Sequence, residues 1–298
     1  MNRLANRSIL ALGVFLLSAC TTVDYDFSDV KKSRNSMQQM AQPSGAVNAP
    51  RFGDRKPFEW TGRTPWHYPI HGTDVSKYQV DVDWNAVRRS GISFVFIKAT
   101  EGGDRFDDRF TEHWNGAKQA GIPRSAYHFY YFCRPAIEQA RWYIQNVPRD
   151  PNALPPVLDM EWNASSPSCK LRPNAVVVRK EMKIFLDAVE KHYGKRPIIY
   201  TTVDFFDEND LNQMREYPFW LRSTAGHPTE KYGPHPWTFW QYTGTGTIPG
   251  IKGDADINVF AGSAGAWKSG WKATRSVNSS LIGCSHQVLL HFRCVMGQ

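Results

Sequence analysis

The chain has no apolar run long enough to cross a bilayer. Its leading apolar stretch, Ile9 to Leu17, is nine residues, well short of the roughly 20 that a spanning helix needs. No internal repeat with a period of about 20–50 residues is visible, which excludes solenoids and propellers. Charge of one sign is missing where a nucleic-acid grip would need it. Residues 68–267 hold 23 basic and 23 acidic side chains, so the +8 of the whole chain belongs to its ends. Residues 268–298 carry four basic residues and no acid. A domain built to hold phosphate backbones would carry the excess itself, so no nucleic-acid partner is expected. Cysteine is scarce, with five in 298 residues. Cys284, His286, His291 and Cys294 fall together, but their spacing matches no paired zinc-ligand pattern. No metal or organic cofactor is expected.

What is present begins with a leader. Arg3 and Arg7 precede the apolar stretch, and Leu17-Ser18-Ala19-Cys20 closes it. That ending resembles the lipobox of bacterial lipoproteins, in which the cysteine becomes the lipidated first residue. The resemblance implies export and a membrane anchor at Cys20. Thr21, in place of Asp, implies sorting to the outer membrane if the source is Gram-negative. Residues 1–20 are thus read as a signal peptide and 21–66 as a polar tether. Phe58, Trp60 and Trp66 are the expected points where the tether meets a domain over 67–267. Residues 268–298 form a basic tail with no assigned structure.

From Tyr68 the pattern alternates. Short apolar runs ending at Asp74, Lys98, Tyr130, Trp162 and Thr202 read as strands. Helical patterns over 83–90, 107–120, 135–146 and 173–192 separate them. The last of these is expected to bury Val177, Met182, Phe185, Ala188 and Val189. Three further strands, at 218–221, 238–242 and 255–260, follow with weak helical signal between them. Eight strands with early helices predict an α/β fold, an irregular β/α (TIM-like) barrel with reduced helices in its last third.

The fourth strand carries the chemistry. Pro155-Pro156-Val157-Leu158-Asp159-Met160-Glu161-Trp162 ends in two acids one residue apart, which an extended strand places on one face. Two carboxyls at a strand end suit acid-catalysed glycoside cleavage. Asp74 ends the first strand and Asp256 lies on the eighth. In a β/α barrel such ends converge on one mouth, where coupled carboxyls drive their pKa values apart. Tyr127, His128, Tyr130, Trp162, Trp220, Trp240 and Tyr242 are the candidate sugar-stacking residues. Phe96 and Phe129 are expected to face the helices instead.

The blocks Gly72-Thr73-Asp74-Val75-Ser76, Phe94 to Gly102, Ala126-Tyr127-His128-Phe129-Tyr130, Asp159-x-Glu161, Trp240-Gln241-Tyr242 and Asp256-x-Asn258 resemble, in order, those of family 25 glycoside hydrolases. Those are barrel-type lysozymes, and the likeness covers about residues 68–262. It implies cleavage of the β-1,4 bond between N-acetylmuramic acid and N-acetylglucosamine. By resemblance Glu161 is the general acid, held protonated. Asp159, ionised, supports the reacting sugar or its acetamido group, with Asp74 and Asp256 flanking. Thr73, Tyr78 and Leu221-Arg222 depart from the family's usual residues. Cys133 and Cys169 follow the third and fourth strands, so adjacent loops at the mouth would let them pair. The expected partners are peptidoglycan strands and, through the lipid, a membrane; the chain is expected to act as a monomer. The competing readings are a non-catalytic wall-binding lipoprotein and a hydrolase of another N-acetylhexosamine polymer such as chitin.

Overall fold

Side-chain alternation along the strands sorts the apolar residues into two layers, and that sorting builds the barrel. In the computed structural model, which describes residues 50–269, Phe94, Phe96, Val157, Ile198, Tyr200, Trp220 and Phe239 pack together inside it. Their strand neighbours Val95, Ile97, Leu158, Ile199, Phe219, Leu221 and Trp240 belong to a second, outer cluster.

The strands are β1 (His71–Val75), β2 (Ile92–Glu101), β3 (Arg124–Phe129), β4 (Val157–Met160), β5 (Ile198–Thr201), β6 (Phe219–Arg222), β7 (Phe239–Thr247) and β8 (Ala255–Phe260). Neighbours from β1 to β7 pair in parallel. The barrel is closed by β8, which runs antiparallel to both β7 and β1. Gly72 has a steric reason. A Cβ there would lie 2.4 Å from the Phe94 ring, so the interior at β1 has room only for glycine.

Helices cover the first part of the barrel. They are α1 (Trp84–Arg89), α2 (Phe110–Gln119), α3 (Ala136–Asn146) and α4 (Ala175–Tyr193). Asp83 caps α1 by accepting from the Asn85 and Ala86 amides, and Asn174 caps α4 through the Val177 amide, the usual repair for unpaired first-turn donors. The buried stripe of α4 is Val178, Met182, Phe185, Leu186 and Val189. The expected stripe is therefore corrected at one position: Val177 is 41% exposed, whereas Ala188, half-buried, packs against the core. Cover then thins to α5 (Val203–Glu208) and α6 (Pro228–Lys231), with no helix between β7 and β8 and, among the described residues, only α7 (Ala264–Lys268) after them.

Residues before the barrel cover the side that helices leave bare. Trp60 stands edge-on to Trp240 at 5.1 Å and to Phe58 at 4.8 Å. Trp66 lies 5.3 Å from His71 and 6.2 Å from Tyr242. Gly53–Asp54 adds a short antiparallel piece to the end of β7. These rings keep water off the outer face of β7 much as a helix would. Trp60→Ala is expected to cost about 2 kcal/mol. Calorimetry should show this as a fall of about 6 °C in Tm, with activity at 25 °C retained.

Candidate active site

The acids converge as the barrel topology requires. Asp74 lies near the end of β1, and its Oδ2 accepts hydrogen bonds from Gln241 Nε2 at 3.0 Å and Asn258 Nδ2 at 2.8 Å. Asp256 stands opposite Asp74 across the β8–β1 pair. It reaches the mouth from the start of its strand, because β8 is reversed. Each of the two carboxyls affects the ionisation of the other. Burial raises Asp74 to about 6, while hydrogen bonds from Asn258, Gln241 and the Asp256 carboxyl hold it down. Asp256 is pushed well above the carboxylate range by burial first and by Asp74's charge second.

Asp159 points inward from β4 and is 6% exposed. Its Oδ1 has no hydrogen-bond partner among the described residues. Burial pushes its pKa well up, and the neighbouring Glu161 charge adds to that. Glu161 follows the last residue of β4 and is half-buried. Its pKa is raised by burial, with the Arg222 guanidinium opposing. Burial therefore favours the protonated form of both carboxyls, and each one's charge opposes ionisation of the other.

The aromatic candidates divide by strand parity. Tyr127 and Trp220 face inward with the acids. Burial raises the Tyr127 hydroxyl well above its usual range, reinforced by the charges of Asp74, Asp159 and Asp256. Trp220 lies deeper, its ring 4.3 Å from Phe96 and 4.4 Å from Tyr200, and its Nε1 donates to Asn258 Oδ1 at 2.7 Å. Trp162 sits on the rim beside Glu161, half-buried, with Nε1 donating to Glu208 at 2.7 Å.

The other four are corrected. His128 lies under α3 and α4, between Thr100 Oγ1 at 2.8 Å and Gln139 Oε1 at 3.1 Å, and stacks on Phe185. Burial lowers it to about 4, so it is neutral. Tyr130 is buried on the same outer side, its hydroxyl reaching toward Glu181. Trp240 and Tyr242 are buried beneath Trp60 and Trp66, and Trp240 Nε1 donates to the Ser223 carbonyl. Successive strand residues point to opposite faces, so Gln241 faces the acids because Trp240 and Tyr242 do not. Phe96 is corrected the other way, packing inside the barrel on Trp220 and Phe239. Phe129 shares Tyr127's parity and lies 4.7 Å below Lys98 Nζ.

Gln241 and Asn258 are the residues that sequence reasoning left without a role. Tyr200 donates to Gln241 Oε1 at 2.8 Å, so a continuous chain runs Tyr200–Gln241–Asp74–Asn258–Trp220. It fixes the floor of the site. The i, i+2 rule that paired Asp159 with Glu161 would have paired Asp256 with Asn258. Cys133 and Cys169 form a disulfide between the loops after β3 and β4. Among the described residues no cluster of three or more His, Cys, Asp or Glu is arranged to hold a metal. The tail residues Cys284, His286, His291 and Cys294 lie outside the described residues.

Buried inward acids, a fixed polar floor and an open rim equip the mouth to protonate a leaving oxygen. The sequence pattern of glycosyl hydrolases family 25 matches residues 73–251. YegX of Escherichia coli K12 is 36% identical over 216 residues, covering 71% of this chain and 76% of its own. Lysozyme M1 of Streptomyces globisporus is 37% identical over 210 residues, covering 65% and 69% respectively. The structure of a family 25 glycosyl hydrolase from Bacillus anthracis superposes with a TM-score of 0.62 at 33% identity, covering 72% of this chain and 97% of that one.

Proposed function

This chain belongs to glycosyl hydrolases family 25, and from that premise we propose that it is a muramidase that cuts the β-1,4 bond between N-acetylmuramic acid and N-acetylglucosamine. The observation that carries the reading is the Asp159–Glu161 pair at the end of β4, with Asp159 buried and its Oδ1 without a hydrogen-bond partner among the described residues. Such a pair titrates as a unit, and substrate decides where the proton lies. The acetamido N–H of the bound muramic acid donates to Asp159 Oδ1, the buried acceptor without a protein partner. That bond favours the Asp159 anion and moves the proton onto Glu161. Glu161 then protonates the leaving oxygen as positive charge grows at the anomeric carbon. The acetamido oxygen closes on that carbon as an internal nucleophile, and the Asp159 anion holds the charge that develops on its nitrogen. Water, deprotonated by Glu161, opens the ring and restores both carboxyls. Asp74 and Asp256 flank the pair, both with pKa values raised by burial.

The enzyme acts on peptidoglycan as an exported monomer. Arg3, Arg7 and the Leu17-to-Cys20 ending support a cleaved leader and a lipid on Cys20, with residues 21–66 as tether and the outer membrane as the site in a Gram-negative cell. These residues, apart from the last part of the tether, lie outside the described ones.

Purified peptidoglycan treated with the enzyme should lose turbidity and gain reducing ends that are N-acetylmuramic acid. New N-acetylglucosamine ends, or equal cleavage of chitin, would point to a different hexosaminidase. Binding without new ends would identify a wall-binding protein.

A further inference from the structure

A cavity opens in the loops beside the candidate acids. It has a volume of about 220 Å³ and is lined by Tyr131, Phe132, Trp162, Asn163, Lys170 and Arg172 among others. It begins one residue past Glu161. Its walls are the loops after β3 and β4, which the Cys133–Cys169 disulfide ties together. The β4 loop runs from Glu161 to Asn174 without a strand or helix, so the disulfide holds a wall that regular backbone pairing does not.

The charge of this wall is opposite to that of the neighbouring mouth. Arg172 lies over the Trp162 ring at 4.9 Å, and Glu208 stands 3.8 Å from its guanidinium. Lys170 is exposed and makes no ion pair among the described residues. Lys170 and the Glu208-paired Arg172 stand on aromatic walls beside a cluster of carboxyls, so they suit a ligand whose anionic part lies beyond the bond being cut. Uncharged sugar rings do not require them.

We propose that this cavity is a subsite for the acidic peptide stem that muramic acid carries on its lactyl group. The proposal rests on the muramidase reading. With muramic acid held against Asp159 and Glu161, its lactyl branch leaves the groove on the rim that Trp162 begins. Peptide carboxylates then meet Lys170 and Arg172, while Asn163 meets backbone amides and the rings cover alanine methyls. Charge-assisted contacts of this kind fix orientation as well as affinity. The enzyme thereby selects peptide-bearing strands over bare glycan.

The test uses two substrates with the same glycan, one carrying its stems and one stripped of them by an amidase. Wild type should show a KM about tenfold lower on the peptide-bearing strands, with similar kcat. Lys170→Glu should remove most of that difference, raising KM on peptide-bearing strands and leaving stripped strands unchanged. Equal KM values in the wild type, or an equal KM increase on both substrates, would overturn the subsite. If wild type cleaves neither substrate, the muramidase reading fails instead. Calorimetry on Glu161→Gln then decides the subsite separately, by comparing a disaccharide-peptide with the same disaccharide lacking the peptide. Tighter binding of the peptide form supports it, and equal binding refutes it.

Discussion

Glu161→Gln should lower the rate of peptidoglycan cleavage by about 10²–10⁴-fold while leaving the melting temperature near that of the wild type. The amide keeps the shape of the carboxyl but has no proton to give at the pH where the enzyme works. Glu161 is half-buried just beyond the end of β4, so Gln meets solvent and the groove rather than a packed core. The variant also alters its neighbour, because the Glu161 charge is the second contributor to the upward push on Asp159. Substrate binding should survive, since the polar floor of Gln241, Asn258 and Asp74 is untouched. The measurements are reducing ends released per enzyme and a thermal melt. Turnover close to wild type would sink the assignment of Glu161 as the acid.

Asp159→Asn should abolish most activity and yet make the protein more stable at pH 7. Burial is the main cause of the raised Asp159 pKa, which means that the fold opposes its ionisation. Below about pH 4 the carboxyl is protonated in folded and unfolded chains alike. As pH rises, the unfolded chain gives up the proton first and the fold keeps it, so stability falls until the folded group ionises as well. Asp74 follows the same course between the ordinary value of 3.8 and about 6. Asparagine has no such titration, and Asp159 Oδ1 has no hydrogen bond to lose. The expected result is a higher Tm than wild type at pH 7, with the gain shrinking as pH falls through the ordinary carboxylate range. A variant less stable than wild type at pH 7 would show that Asp159 is held ionised by contacts that compensate its burial. Function and stability are opposed at this residue.

The comparison of sequence with structure turns on parity and direction. Strands were legible because runs such as Ile92 to Lys98 and Pro197 to Thr202 have no competing helical reading. The acids were legible because each falls at a strand end, next to a turn. Direction was not legible, since a β pattern reads the same both ways; only pairing shows that Asp256 opens its strand rather than closing it. Burial parity was ambiguous wherever both faces are aromatic. Trp240 and Tyr242 look like sugar platforms by composition, and one register step separates that reading from the one in which Gln241 faces the groove. His128 and Tyr130 failed for the same reason, because Tyr127 between Ala126 and His128 fixes the inward face of β3. The Phe58, Trp60 and Trp66 contacts were legible as rings in an otherwise polar stretch.

The reversed strand β8 also governs when the site comes into being. Asp74 is made early, and the Asn258 amide that bonds it lies 184 residues later in the chain. Joining them closes the largest loop in the barrel, a slow step for a chain that must first place everything between. A nascent chain therefore has Asp159 and Glu161 but neither the Asp74–Asp256 pair nor the Gln241 and Asn258 floor beneath it. Completion of the catalytic mouth waits on the end of the barrel sequence, so a wall-cutting activity arises only after nearly the whole barrel sequence has been synthesised.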